Sequence, residues 1–269
     1  MPGSVDAMEA LRQVQGWPAD HGAVAIAGRV EASFGDLARP FAWASVTKLA
    51  SAVAVLVAVE EGIVDLDESA GPPGSTVRHL LSHASGLAPD EPTQLASPGE
   101  RRIYSNVGFE TLAAHLAVRA EMPFASYFES VWGFPLGGSP AHGVVAPLRT
   151  LLEVARELLA PSRVARETLA EAGVVQFPGL TGVLPGFGRF EPNDWGLGLE
   201  LRGAKTPHWT GVRNSPATVG HFGRAGGFLW VDPEAGIALA CLTDLDFGDW
   251  AKDAWPRLSD AVLAELSER

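Results

Sequence analysis

The sequence contains one cysteine, Cys241, and few residues arranged as metal ligands. A single cysteine excludes an internal disulfide and a thiolate metal cluster. It lies in the apolar run 237–242, so we expect it to be a small core residue. The remaining metal-ligand candidates are scattered histidines without metal-ligand spacing: His79, His83, His115, His142 and His208. We therefore expect no metal site and no cofactor, and a packing role for His83 beneath any active site.

Basic residues and long apolar runs are also scarce. The chain has 20 Lys and Arg against 32 Asp and Glu, a net charge of −12. Because nucleic acids require a basic surface, we expect no nucleic-acid partner. No apolar run reaches about 18 residues, so no transmembrane helix and no membrane partner are expected. The N-terminus has no basic stretch followed by an apolar run, so we expect no signal peptide and a cytoplasmic location.

The order of predicted elements indicates the fold class. Strands near both ends of the chain enclose a long helical stretch, which is not the alternation of a parallel α/β fold. We predict an α/β protein of the α+β type, with an antiparallel sheet built from both chain ends and flanked by helices. Residues 1–44 and 187–269 would form the sheet domain, and 45–186 a mainly helical domain, with the active site at their junction.

Hydrophobic periodicity and turn residues place the individual elements. The predicted helices are 4–16, 77–83 (capped by Thr76), 108–119, 124–131, 150–159, 163–172 and 250–266. The predicted strands are 23–27 and 30–34, joined as a hairpin, then 195–201, 218–223, 226–231 and 237–243. Residues 90–100 are predicted to be a surface loop, and residues 173–193 are too rich in Gly and Pro to be assigned.

The stretch 41–62 has the strongest chemical signal. It contains Ser45 and Lys48, followed by an apolar run from Leu49 to Val59 that offers no polar face. A helix that is apolar all round belongs in a protein interior. On a helix, positions i and i+3 share a face, so the hydroxyl and the amine can meet. A buried amine loses hydration, its pKa falls, and it can then take a proton from the hydroxyl.

Two further motifs offer complementary groups. Tyr104 and Asn106 stand at the start of a predicted helix; the phenol can transfer protons, and the amide can orient a substrate or the lysine. Gly220-His221-Phe222-Gly223 lies on a predicted strand. Because glycine lets a ligand approach a strand backbone closely, a neighbouring N–H could form half of an oxyanion hole.

Together these motifs resemble those of the penicillin-recognising serine hydrolases. This family includes class C β-lactamases, DD-peptidases of the Tyr-x-Asn type and related esterases. The resemblance rests on Ser-x-x-Lys, Tyr-Ser-Asn and His-Phe-Gly in that order, and it extends over about residues 23–245. Two further stretches support it: Val77 to Leu87, and the turn from Val231 to Ile237. It implies a β-lactamase/transpeptidase-like fold.

The resemblance also implies roles for individual residues. Ser45 would be the acylated nucleophile, while Lys48 and Tyr104 would activate it and protonate the leaving group. Asn106 would orient the substrate, and His221 would replace the lysine of the third motif. The backbone N–H groups of Ser45 and Arg224, beside Gly223, would form the oxyanion hole.

One position departs from the family pattern. Phe222 stands where relatives that bind substrate carboxylates often have Thr or Ser, and a phenyl ring cannot donate a hydrogen bond; Arg224 could supply that contact instead. We therefore expect an esterase-like serine hydrolase acting on a small acyl substrate. The alternatives are a β-lactamase or DD-peptidase and, from another class, a binding or sensor protein without turnover. The oligomeric state stays open.

Overall fold

The computed structural model describes residues 8–268. The helices are α1 (Thr47–Glu60), α2 (Val77–Leu81), α3 (Asn106–Arg119), α4 (Phe124–Trp132), α5 (Leu148–Leu159), α6 (Arg166–Ala172) and α7 (Asp249–Ser267). The strands are β1 (Gly22–Gly28), β2 (Ala32–Phe34), β3 (Pro40–Ala42), β4 (Val145–Pro147), β5 (Gly182–Leu184), β6 (Gly188–Phe190), β7 (Glu200–Leu201), β8 (Val219–Gly223), β9 (Gly227–Asp232) and β10 (Ile237–Thr243). Short 3-10 helices span Glu9–Gly16 and Ala44–Val46.

The described chain divides into two compact units. The sheet unit comprises residues 8–46, 145–160 and 202–268, and the helical unit comprises 47–144 and 161–201. The boundaries differ from the predicted ones at 187–201, which we had placed in the sheet domain, and at 145–160, which we had placed in the helical domain. Residues 145–160 belong with the sheet because α5 packs against β1, β9 and β10.

The sheet unit joins both ends of the chain, as predicted. Its strands follow the order β2-β1-β10-β9-β8. Strand β1 pairs antiparallel with β10 from Gly22 opposite Thr243 to Gly28 opposite Ile237. Every residue of β9 and β10 is buried, which requires cover on both sheet faces. Helix α7 provides part of this cover, since Trp230 Nε1 donates to Ser259 Oγ at 3.0 Å.

The core of the helical unit is α1. Its residues are buried from Thr47 to Leu56, as expected for a helix that is apolar all round. A neighbouring turn places Gly198 directly against Ala52, and Gly198 has a φ of 78°. Glycine adopts this left-handed conformation without strain and leaves room for the helix. The predicted Thr76 cap of α2 is also confirmed, because its hydroxyl accepts from the His79 N–H.

Several sequence predictions were wrong in detail. The 4–16 helix is a 3-10 helix from Glu9, and residues 4–7 lie outside the described part. Strand 195–201 is reduced to β7 because Gly196 N–H donates to Leu199 O in a tight turn. Residues 173–193, which we could not assign, contain the β5-β6 hairpin. Helix α6 begins at Arg166 rather than Arg163.

One further core prediction, that for Cys241, is confirmed. Four large aromatic residues are buried: Trp195, Trp209, Phe228 and Trp230. Cys241 is buried on β10, and burial raises the pKa of its thiol. Among the helices of residues 8–268, none has the length and apolar character needed to cross a membrane.

Candidate active site

Ser45 lies on a strained backbone turn. The turn is the 3-10 helix Ala44–Val46, immediately before α1, rather than the first turn of the α-helix that we had predicted. Ala44 has a φ of 46°, a conformation that costs a non-glycine residue about 1 kcal/mol or more. The turn is held by buried Trp43, whose carbonyl accepts from Val46 N–H at 3.1 Å. Trp43 Nε1 in turn donates to Ala146 O at 3.0 Å.

The end of β8 lies against this turn. A Cβ atom added to Gly223 would collide with the Trp43 carbonyl oxygen and come within 3.3 Å of Ser45 N. The missing side chain therefore makes room for the protein's own backbone rather than for a ligand alone. The absence of a side chain also allows the Ser45 N–H to lie close to the end of β8, and the next residue of the chain is Arg224. Two backbone N–H groups at this position are suited to hold an oxyanion.

His221 and Phe222 occupy adjacent positions on β8, and side chains alternate along a strand. His221 Nδ1 lies 2.7 Å from the Phe222 carbonyl oxygen. Because a carbonyl can only accept, Nδ1 carries a proton and donates it to the backbone.

The side chain of Phe222 is part of the core. Its ring centroid lies 5.1 Å from that of Phe247, 5.7 Å from Trp209 and 5.9 Å from Trp255. Only 9% of the residue is exposed. Phe222, which departs from the family pattern of the third motif, thus packs β8 in this aromatic cluster. Aromatic residues cluster in this way because they bury large surfaces in edge and tilted contacts.

Lys48, the second residue of α1, is fully buried in the helical unit. Its Nζ donates to Asn106 Oδ1 at 2.6 Å and to Ala141 O at 3.0 Å. Burial lowers the pKa of the amine to about 7, although the charges of Asp90 and Glu110 act in the opposite direction. Both of these partners are acceptors, so each takes one N–H of the amine. The arrangement therefore favours an amine that can act as a base near neutral pH.

Tyr104 lies against Lys48. Lys48 Nζ is 4.8 Å from the centroid of the Tyr104 ring. The ring also packs on buried His83 at 4.6 Å, and His83 Nδ1 accepts from Ser105 N–H at 3.2 Å. The expected packing role of His83 is thus confirmed. Ser105 in addition caps α3, because its Oγ accepts from Gly108 N–H at 2.9 Å.

Two residues near these motifs were not predicted. Asp90 Oδ1 accepts from Asn106 Nδ2 at 2.8 Å, although the sequence offers only an acidic residue in a polar loop. Arg102 is buried. Its guanidinium donates to the carbonyl oxygens of Ser82, Gln176 and Asn193. An Arg-Arg pair in sequence carries no signal that one member points inward.

Each unit thus gathers part of the predicted site. The sheet unit brings Ser45, Gly223 and Arg224 together, with His221 on the same strand. The helical unit brings together Lys48, Tyr104 and Asn106. Within residues 8–268, no group of three or more His, Cys, Asp or Glu side chains is placed to hold a metal ion.

Comparisons with known proteins agree with this geometry. The Beta-lactamase family model matches residues 36–139 and 126–263. The crystal structure of a beta-lactamase from Mycobacterium bovis has 52% sequence identity and a TM-score of 0.93, covering 96% of this chain and 99% of that chain. No curated protein gave a sequence match.

Two more distant structures share the fold. Simvastatin synthase (LovD) from Aspergillus terreus has 14% identity and a TM-score of 0.77, covering 97% of this chain and 98% of that chain. EstCE1, described as a hydrolase with promiscuous acyltransferase activity, has 18% identity and a TM-score of 0.74, covering 94% and 98%. The family match over most of the chain and the 52% identical structure establish membership: this chain belongs to the beta-lactamase family.

Proposed function

We propose that this protein is a serine hydrolase that cleaves a small ester or amide through an acyl-enzyme on Ser45, with simple esters preferred. The observation that carries the proposal is the burial of Lys48, with the lowered pKa of its amine. Its pKa of about 7 results from burial, and hydrogen bonds to Asn106 and Ala141 fix its position. A buried amine with no catalytic task would be costly to keep.

The proposed reaction has two stages. The Ser45 hydroxyl proton passes to neutral Lys48 while Oγ bonds to the substrate carbonyl carbon. The backbone N–H groups of Ser45 and Arg224 stabilise the oxyanion that forms. The carbonyl is restored as the leaving-group bond breaks, and the leaving group takes the proton from Lys48, either directly or through Tyr104, whose phenol gives its proton to the leaving group and is reprotonated by Lys48. Water then attacks the acyl-enzyme in the reverse sense, releasing the acid and free Ser45.

The preference for esters rests on the third motif. A β-lactam or a peptide C-terminus carries a carboxylate, which needs hydrogen-bond donors. His221 has its Nδ1–H engaged with the Phe222 carbonyl, and the phenyl ring has no donor. A neutral ester makes no such demand on the site.

A β-lactamase is the second candidate. The structure of 52% identity is described as a beta-lactamase, and exposed Arg224 offers a cation for a carboxylate. A DD-peptidase would need the same contact. A binding protein without turnover is the remaining alternative, and intact Ser45, Lys48 and Tyr104 speak against it.

Mass spectrometry of the intact protein separates these candidates. We expect a fluorophosphonate to add once to the wild type and not to Ser45→Ala, which keeps the fold because loss of a polar side chain at a helix start costs only about 1 kcal/mol. Labelling of the Ser45→Ala variant at another serine would contradict the assignment of the nucleophile.

Substrate turnover completes the test. We expect the wild type to hydrolyse p-nitrophenyl acetate faster than a chromogenic cephalosporin. Faster hydrolysis of the cephalosporin would favour a β-lactamase. Stable labelling by both a fluorophosphonate and a penicillin, with no turnover of either substrate, would favour a binding protein.

A further inference from the structure

The Asp90 carboxylate binds one of the two polar groups of the Asn106 amide, and Lys48 binds the other. Asn106 has an acceptor and a donor at the same end of its side chain, and a half-turn exchanges them. Here Oδ1 faces Lys48 Nζ at 2.6 Å, and Nδ2 faces Asp90 Oδ1 at 2.8 Å. A carboxylate accepts only, so it binds the NH₂ group and leaves the oxygen to the lysine. The opposite orientation would set an N–H donor against the lysine N–H groups.

Hydrogen bonds to the start of α3 hold the segment that carries Asp90 in place. The carbonyl of Pro89 accepts from Asn106 N–H at 2.8 Å, at the start of α3. The Ser105 hydroxyl donates to Ala88 O at 2.6 Å. Residues 88–90 are thus bound to the first turn of α3, where a negative charge is also stabilised by the helix dipole.

We propose that Asp90 is the positioning residue of the Lys48 amine, acting through the Asn106 amide. This role rests on the proposed function, because it assigns Lys48 the task of the base. Without the carboxylate, only Lys48 itself opposes a turn of the Asn106 amide, and the Asn106 oxygen directs the Lys48 N–H groups less firmly. The lone pair of the amine would then lose the direction that proton transfer requires.

A test of this proposal has to separate the effect of the Asp90 charge on Lys48 from the effect of the orientation of the Asn106 amide. The ionisable groups that act on Lys48 are Asp90, Glu110 and the phenol of Tyr104, whose ring it contacts. Asp90 and Glu110 both raise the pKa of Lys48 by their charge. Only Asp90 is bonded to Asn106, whereas Glu110 accepts from the Ser139 hydroxyl. Glu110→Gln is therefore a matched control that removes a charge and leaves the Asn106 amide alone.

The first readout is single-turnover acylation by an activated ester across pH. We expect Asp90→Ala to lower the high-pH plateau about 10- to 100-fold. Asp90→Asn keeps an acceptor for Asn106 Nδ2 and should recover most of that loss. Glu110→Gln should keep the wild-type plateau and move the midpoint of the profile to lower pH, since the lysine loses a neighbouring negative charge. Asp90→Asn should move the midpoint in the same direction.

Two outcomes would overturn the proposal. An Asp90→Ala plateau within about twofold of the wild type would mean that Asn106 keeps its orientation unaided. Equal losses in Asp90→Ala and Asp90→Asn would mean that charge, and not the hydrogen bond, is what matters. Circular dichroism checks that each variant is folded. If Asp90→Ala does not fold, Asp90→Asn still tests the proposal.

The second readout does not depend on turnover. The chain has only three lysines, Lys48, Lys205 and Lys252, so the side-chain ¹⁵N and ¹³C signals of Lys48 can be assigned and titrated by NMR. We expect the midpoint of the Lys48 titration to be lower than in the wild type in both Asp90→Asn and Glu110→Gln. In Asp90→Ala we expect a midpoint that differs from that of Asp90→Asn. If the wild type is never acylated on Ser45, the proposed function fails, and this titration still decides whether Asp90 positions Lys48. Identical midpoints in Asp90→Ala and Asp90→Asn would contradict it.

Discussion

At the scale of the residue, the proposed mechanism gives the neighbouring Lys48 and Tyr104 two different proton-transfer tasks. The amine is buried with a pKa of about 7, and the phenol ring lies 4.8 Å from its nitrogen. A base must be neutral to accept a proton, so acylation should rise with pH as Lys48 loses its proton near neutrality. The phenol can then return a proton to the leaving group.

We predict that Tyr104→Phe lowers the acylation rate about 10²- to 10⁴-fold, because it removes the proton carrier. The melting temperature should change little, since phenylalanine keeps the ring that packs on His83. Single-turnover acylation across pH is the measurement. The other tyrosine provides the control: Tyr127 donates to Glu61 at 2.7 Å, so Tyr127→Phe should affect stability and leave acylation unchanged. A Tyr104→Phe rate within about threefold of the wild type would leave Lys48 as the sole proton carrier.

At the scale of the element, the turn carrying Ser45 depends on the absence of a side chain on β8. A Cβ at Gly223 would press on the Trp43 carbonyl and on Ser45 N. Close packing of backbone against backbone leaves no flexible side chain to move aside, so the turn itself must shift.

We predict that Gly223→Ala lowers acylation about 100-fold, because a displacement of the nucleophile by about 1 Å costs that much. Fluorophosphonate labelling rates are the measurement. Gly16→Ala is the control in the same unit, because a Cβ there meets no atom within 4 Å. Wild-type labelling of Gly223→Ala would show that the Ser45 turn tolerates the added methyl group.

Arg102 connects the start of the Tyr104 segment with the Gly- and Pro-rich residues 173–193. It donates to Ser82 O at 2.6 Å, Gln176 O at 2.7 Å and Asn193 O at 3.1 Å. Burial lowers its pKa to about 10, opposed by the charge of Asp194. Five N–H donors in a rigid fork allow one side chain to hold several separate carbonyl groups.

We predict that Arg102→Met destabilises the protein by about 3 kcal/mol or more, because several buried carbonyl oxygens lose their donor. Urea unfolding measures this loss. Adjacent Arg101 is exposed, so Arg101→Met should change the free energy of unfolding by no more than about 0.5 kcal/mol. Equal effects of the two substitutions would mean that the loop is held by other contacts.

At the scale of the whole molecule, both units are assembled from separated chain segments. The sheet unit uses three stretches and the helical unit two. The longest pairing, β1 with β10, joins residues more than 200 positions apart in the sequence. Strands of this kind were predictable because each is apolar and bounded by turn residues. Their shared sheet followed from the order of strands and helices along the chain.

Pairing between very short strands was not predictable from the sequence. Strands β3 and β4 each have three residues, and Phe41 pairs with Ala146 about a hundred residues away. Segments this short carry no period of their own. Residues 182–190 have Gly and Pro patterns typical of a loop, yet they form the β5-β6 hairpin, and a buried arginine from another segment holds the neighbouring carbonyls.

The sequence by itself determined the chemistry that is available. Ser45, Lys48, Tyr104 and Asn106 were recognisable because motif spacing and helix starts are local properties of the chain. Tertiary structure alone decided how those groups are tuned. The burial of Lys48, the bond from Asn106 to Asp90 and the close approach of Gly223 to the Ser45 turn all join distant segments. The inward position of Arg102 and the packing of Phe222 likewise depend on contacts between distant segments of the chain. Desolvation and hydrogen-bond orientation depend on what surrounds a group in space, and one residue type in one pattern is compatible with many surroundings.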